Sequence, residues 1–180
     1  MPLVTTEVHA GSESEEQTVE VEAKLEELGL VLPEPLKTPP GLALPFSWVR
    51  ARGGGRAYVS GHVPLDPDGS IARPLGKVGA EVSEEQAYEA ARLTALAILA
   101  SLKRALGDLD RVAAWLRVFG MVNTAPGFDK QPNVINGFSD LILELYGPEA
   151  GDHARSAVGM AGRPVGVPVE IEAEVEILGG

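Results

Sequence analysis

Hydrophobic and polar positions alternate most cleanly at the C-terminal end of this 180-residue chain. Val169, Ile171, Ala173, Val175 and Ile177 alternate with Glu170, Glu172, Glu174 and Glu176. A period of two sustained this long predicts a strand with one face on a core and one polar face. Just upstream, Ala154, Ser156, Val158 and Met160 alternate with His153, Arg155 and Ala157, which predicts a second strand. The Gly- and Pro-bearing stretch 162–168 fits a turn or short loop between them. Read as neighbours, the two strands put Arg155 and the glutamates on the non-core face of one sheet. Two short runs, 46–52 and 56–62, flank Gly53-Gly54-Gly55 and predict a hairpin. In the second run Ala57, Val59 and Gly61 alternate with Arg56, Tyr58, Ser60 and His62, so Ser60 and His62 are expected on the polar face. Residues 112–122 (VAAWLRVFGMV) suit a central strand covered on both faces.

Period-3.6 segments separate these strands. Ser83-Glu84-Glu85-Gln86 has the form of a capping box and opens an Ala- and Leu-rich helix carrying Leu96, Leu99, Leu102 and Leu106, with Gly107 as its stop. A second helix is expected over 134–146, with Leu141, Ile142 and Leu145 inward and Gly147-Pro148 ending it. Ser14-Glu15-Glu16-Gln17 is another capping box, for a helix reaching Leu28 before Gly29. Pro33, Pro35, Pro39, Pro40 and Pro45 make 32–45 an extended connector. Residues 65–79 and 123–133 read as loops. The fold class is α+β: a mixed sheet with two main helices on one face, in one domain over 15–180 behind a loose tail at 1–14. The open face would carry Ser60, His62, Arg155 and Glu170 beside Trp115 and Phe119. A monomer rarely exposes so much mixed surface, which predicts association through that face.

Composition narrows the chemistry. The formal net charge of −11 lacks the basic surface on which non-specific nucleic-acid binding rests. There are no cysteines, so disulfides, thiolate metal sites and a cysteine nucleophile are excluded. His9, His62 and His153 have no metal-ligand spacing, so no metal site is expected. No apolar run is long enough for a membrane span and no signal peptide is evident, so a cytoplasmic location is expected. Ser60 and His62 do not make a hydrolase, because no strand-to-helix elbow surrounds the serine. Arg155 and Glu170 are the strongest pair: a guanidinium fork and a carboxylate that serve either a small-molecule site or a surface salt bridge.

The chain resembles the reactive-intermediate deaminase family, also called YjgF or Rid, over about residues 20–177. The residues that carry the resemblance are Tyr58-Val59-Ser60-Gly61-His62-Val63-Pro64, Gly107-Asp108-Leu109-Asp110-Arg111-Val112, Val134-Ile135-Asn136-Gly137-Phe138, and Ala154-Arg155-Ser156-Ala157-Val158 followed by Pro164 and Val169-Glu170-Ile171-Glu172. The resemblance implies a chorismate-mutase-like fold assembled as a homotrimer with clefts between subunits. It further implies cofactor-free hydrolysis of 2-imine or 2-enamine acids to 2-keto acids and ammonia.

In those terms Arg155 would hold the substrate carboxylate and Glu170 would orient water and shuttle its proton. Ser60 and Asn136 would line or brace the cleft, Phe46 would be an aromatic wall where many members carry Tyr, and His153 would enter the cleft or a subunit contact. Ala157 departs from the family, where Cys is common two residues after the Arg, and this leaves substrate range open. Arg50 and Arg163 are expected on the surface. Competing readings are a non-catalytic binder of small carboxylates, or an enzyme for another imine. An RNA-cleaving or translation-inhibiting activity is disfavoured by the net charge.

Overall fold

The computed structural model of the chain describes residues 21–179. Its elements run α1 (Val21–Glu27), β1 (Val49–Arg52), β2 (Arg56–His62), α2 (Glu84–Leu106), β3 (Val112–Asn123), α3 (Gln131–Ala150), β4 (Ala154–Met160) and β5 (Val169–Ile177). The expected tail and the Ser14–Gln17 capping box lie outside the described residues. The helix they would start is present as α1, beyond which Gly29 takes a positive φ of 65°.

α2 begins as its sequence dictates. The Gln86 N–H donates to the Ser83 hydroxyl, and the Ser83 N–H donates to the Gln86 side chain, so two orphan donors are satisfied. Gly107, at φ 87°, ends it in the left-handed region that a Cβ disfavours. α3 starts at Gln131, earlier than its apolar stripe suggests, with Pro132 in its first turn. Gly147 breaks the helical geometry but a further turn follows, so Gly147-Pro148 is a kink rather than a stop.

The five strands order as β1-β2-β5-β3-β4. β3 and β4 are parallel and the other pairs antiparallel. β4 and β5, expected as neighbours, are therefore separated by β3. α3 connects β3 to β4, as a parallel pair requires a crossover. α2 and α3 pack together on one face of the sheet. Their closest approach is at Gly137, where a Cβ would collide with the backbone oxygen of Tyr88.

The core lies between helices and sheet. Ile171, Val175 and Val118 are wholly buried there, as are Leu99, Leu102 and Ile142 from the helices. Each such side chain contributes about 1.5–3 kcal/mol, which is why the period-two and period-3.6 patterns decide the architecture. Trp115 was expected on the open face but is only 1% exposed and meets Phe138 and Tyr146 edge-on at 5.5 and 5.8 Å. Register shifts between Val112 and Ala114 and between Trp115 and Arg117 change the strand's parity.

Among the described residues no element covers the opposite face, so β3 is not covered on both sides as its composition suggested. That face carries Glu170, Glu172 and Glu174 from β5 with Met121, Phe119 and Arg117 opposite them on β3. Arg117 lies 3.9 Å from both Glu172 and Glu174 and over the Phe119 ring. These groups are about half exposed, so the pairs organise the surface more than they stabilise the fold.

Candidate functional site

Register decides which side chains can meet. Arg155 pairs with Val118 on β3, which pairs with Ala173 on β5. Val118 and Ala173 are buried under the helices, so Arg155 faces the helices too. Glu170 pairs with Met121, which pairs with Val158, on the open face. The expectation that Arg155 and Glu170 share a face is thus wrong: they lie on opposite sides of one sheet. Parity separates the two sets of β4 side chains but not which set faces the helices, and on this edge strand the helix side is the one with the cation.

Arg155 is held from α3. Its Nη1 donates to Asn136 Oδ1 and to Ser139 Oγ, both at 2.9 Å, and Nη2 donates to the Pro132 carbonyl at 3.4 Å. Asn136 and Ser139 stand three residues apart and so share a helix face. The Ser139 hydroxyl also meets His153 Nε2 at 2.9 Å, and His153 Nδ1 meets the Gly151 carbonyl at 2.7 Å. A carbonyl only accepts, so Nδ1 carries the proton; in the neutral ring Nε2 then accepts from the Ser139 O–H. The serine oxygen is left to accept from Arg155. The result is a directed chain from guanidinium through serine and histidine to a backbone carbonyl. Arg155 makes no ion pair among the described residues. Burial pulls its pKa below the ordinary value, and the Asp140 carboxylate acts in the opposite direction.

Glu170 is fixed differently. Its Oε2 accepts from Arg163 Nη1 at 2.9 Å, with side-chain exposures of only 19% and 15% for the two residues. Arg163 is itself tied to the Gly162 carbonyl at 2.7 Å and to Met121 Sδ at 3.1 Å. It is ion-paired to Glu170 at low exposure, not the surface residue expected; its place in a Gly/Pro loop gave no pattern to reveal it. Glu170 Oε1 occupies the space a Cβ on Gly61 would fill. Gly61 lies within the register shift of β2 between Val59 and His62, so only a glycine admits the carboxylate there.

That bulge overturns a second expectation. His62 opposes Ile171 and is 4% exposed on the helix side, not on the polar face with Ser60. Its Nδ1 meets the Ser60 carbonyl at 2.6 Å and its Nε2 meets Ser101 Oγ at 2.8 Å, and Arg104 Nη2 donates to the same Ser101 oxygen at 3.1 Å. Burial lowers the His62 pKa to about 4, so the ring is neutral near pH 7. Ser101 was invisible as a polar partner because it lies inside an apolar helix stripe.

The remaining candidates divide between these groups. Ser60 Oγ donates to the Ser47 carbonyl at 2.8 Å and braces the approach to β1. Phe46 is half exposed and meets Trp48 edge-on at 5.2 Å. Ala157 is on the Arg155 side of β4 and packs against the core. Asn136 and His153 join Arg155. Glu22, Asp108 and Asp110 cluster closely, but each accepts a backbone N–H (from Leu109, Asp110 and Val21), so the trio stitches α1 to the turn before β3. No helix among the described residues is long and apolar enough to cross a membrane.

Comparison with known proteins is consistent across sequence and structure. The family model described as "YjgF/chorismate_mutase-like, putative endoribonuclease" matches residues 22–168. Protein TCP17 of Trypanosoma cruzi is 42% identical over 124 residues, covering 69% of this chain and 76% of that protein. Among solved structures, the Agrobacterium tumefaciens protein Atu1372, of unknown function, superposes with a TM-score of 0.76 at 40% identity, covering 89% of this chain and 93% of the other. A Shewanella oneidensis protein called "a putative endoribonuclease" superposes with a TM-score of 0.77 at 29% identity, covering 87% and 99%.

Proposed function

Because the chain belongs to the YjgF/chorismate-mutase-like family, we propose that it hydrolyses 2-imine and 2-enamine carboxylic acids to 2-keto acids and ammonia, at sites built between copies of the chain. The observation that carries this reading is the guanidinium of Arg155. It is half-buried, held by three acceptors and free of any carboxylate partner among the described residues. A fork in that state suits a carboxylate, and lysine could not reproduce its bidentate geometry.

In the proposed reaction Arg155 fixes the substrate carboxylate. Glu170 Oε1 orients a water toward the imine carbon and takes a proton from it as the C–O bond forms. Glu170 returns that proton to the nitrogen, and the carbinolamine hydroxyl then gives its own proton to the same nitrogen through Glu170, so the C–N bond breaks to leave the keto acid and ammonia. The imine is already electrophilic, so positioning and proton transfer suffice, and the proton-transfer part contributes typically about 10²–10⁴-fold. Since Arg155 and Glu170 sit on opposite faces of one sheet, the two roles come together only when Arg155 of one copy meets Glu170 of another. A homotrimer joined through the open sheet face is the assembly proposed.

Coupled hydrolysis tests this. An amino-acid oxidase generates the imine, semicarbazide competes for it, and wild type is compared with Arg155→Ala and Glu170→Gln. Each variant alone is expected to be inactive, whereas the two dissociated and reassembled together should regain part of the activity, since some interfaces then hold one intact Arg155 and one intact Glu170. No acceleration by wild type with small, branched or aromatic imines rejects the reaction. Two inactive variants that gain nothing on mixing reject the composite site.

One observation favours a second reading, a carboxylate-binding protein without turnover. Arg163 already occupies one Glu170 oxygen at 2.9 Å, so that carboxylate is partly engaged before any water arrives. Saturable binding of a 2-keto acid that depends on Arg155, without imine hydrolysis, would select it.

A further inference from the structure

The chain from guanidinium through serine and histidine to carbonyl occurs twice. Besides Arg155–Ser139–His153–Gly151, the structure contains Arg104–Ser101–His62–Ser60, between α2 and β2. The second chain lines a small cavity of about 50 Å³ that opens to solvent. Pro35, Leu36, Trp48 and Leu65 form apolar walls, and Ser101, His62 and Arg104 are its polar groups. Ser101 and His62 are buried at 6% and 4% exposure and fully hydrogen-bonded, so they are fixed rather than adaptable.

Arg104 is the exposed cation at the mouth, with N–H groups open to solvent. It donates to Ser101 Oγ and to the Pro33 carbonyl at 3.2 Å, and forms no ion pair among the described residues. Burial pulls its pKa down, and the Glu34 carboxylate, which acts in the opposite direction, is not in salt-bridge contact. Two anchored N–H groups aim the guanidinium and leave others for a ligand. A cation at the rim of an apolar slot is matched by an anion that carries an alkyl group. Phosphate and sulfate would leave the apolar walls without a partner.

We propose that this pocket is a second binding site, for short-chain aliphatic monocarboxylates, with Arg104 on the carboxylate and the Trp48–Leu36 walls around the alkyl group. The proposal does not depend on the hydrolytic reading above.

The test is a ¹H–¹⁵N NMR titration with sodium butyrate at constant ionic strength. The signal followed is the Trp48 indole N–H, assigned by Trp48→Phe. Butyramide serves as the uncharged control, and Arg104→Gln and Arg155→Ala as the two variants. Arg104 is on the exposed last turn of α2, so its variant retains the fold, and the same spectra verify this. The expected result is a saturable Trp48 shift with butyrate and not with butyramide. Arg104→Gln should raise the dissociation constant about tenfold or more, as loss of a charge-assisted contact implies, and Arg155→Ala should leave it unchanged. A signal that does not move, moves equally with butyramide, or moves equally in Arg104→Gln overturns the proposal. Loss in Arg155→Ala alone assigns the acid to the sheet edge and overturns it as well.

Discussion

The two Arg–Ser–His–carbonyl chains are built from the same groups but sit in different surroundings. At Arg155 the chain lies on the edge strand, the histidine is half-buried and the guanidinium has an amide, a hydroxyl and a carbonyl as acceptors. At Arg104 the histidine and serine are sealed between sheet and helix, and the guanidinium stands at the rim. In the first case the histidine orients the serine that holds the arginine, the group proposed to bind the substrate. In the second the histidine is part of the core, and its protonation is a matter of stability. Burial, not residue identity, separates the roles.

The largest contrast is expected in turnover. Arg155→Ala should lower imine hydrolysis about a thousandfold, the scale on which removing one partner of a buried charge contact acts, while Arg104→Ala should leave it within about threefold. Steady-state kinetics of the two variants would break the comparison if they fell together.

A difference of about 3 kcal/mol is expected in acid stability. His62 titrates near 6.5 when unfolded and at about 4 when folded, so the unfolded chain binds the extra proton first as pH falls. Stability is fully present above about pH 6.5, is lost progressively down to about pH 4 and then levels off. Urea unfolding across that range should show this slope in wild type, and His62→Gln should remove it.

Gly61 lies between Glu170 and the bulge that turns His62 inward. Gly61→Ala should cost about 1–3 kcal/mol through overpacking and should also lower turnover by displacing the Glu170 carboxylate. Thermal melts together with kinetics would separate the two losses. The smallest contrast is between the serines. Ser101→Ala leaves buried partners unsatisfied and should destabilise by about 2 kcal/mol, against about 1 kcal/mol for Ser139→Ala, which should instead raise KM for the substrate several-fold. Equal destabilisation with no change in KM would mean that the edge chain does not tune Arg155.

Much of this molecule was legible in its sequence where a pattern repeats. The alternation of β5, the Ser83–Gln86 box and the Gly107 stop each satisfied a local rule, and the structure obeys them. Asn136 and His153 were named as site residues, and both reach the Arg155 cluster. What was not legible depended on single-residue events. A bulge at Gly61 turned His62 inward, and the register shift between Trp115 and Arg117 put Trp115 on the face opposite Phe119. The side of β4 that faces the helices was misassigned because its outward residues, Ala154 and Ser156, are as small as an inward set. Arg163 and Ser101 make their contacts across elements, and no spacing along the chain announces them.

Gly137 separates Asn136 from the turn that carries Ser139, and it marks where the backbone of α3 rests against that of α2. The two side-chain acceptors of Arg155 therefore project from a backbone with little room to shift. Their rotamer freedom is spent during folding rather than on ligand capture. The entropic cost of ordering the arginine fork is correspondingly small when a carboxylate arrives, so affinity at this site should be limited by desolvation of the ions and not by immobilisation of the protein.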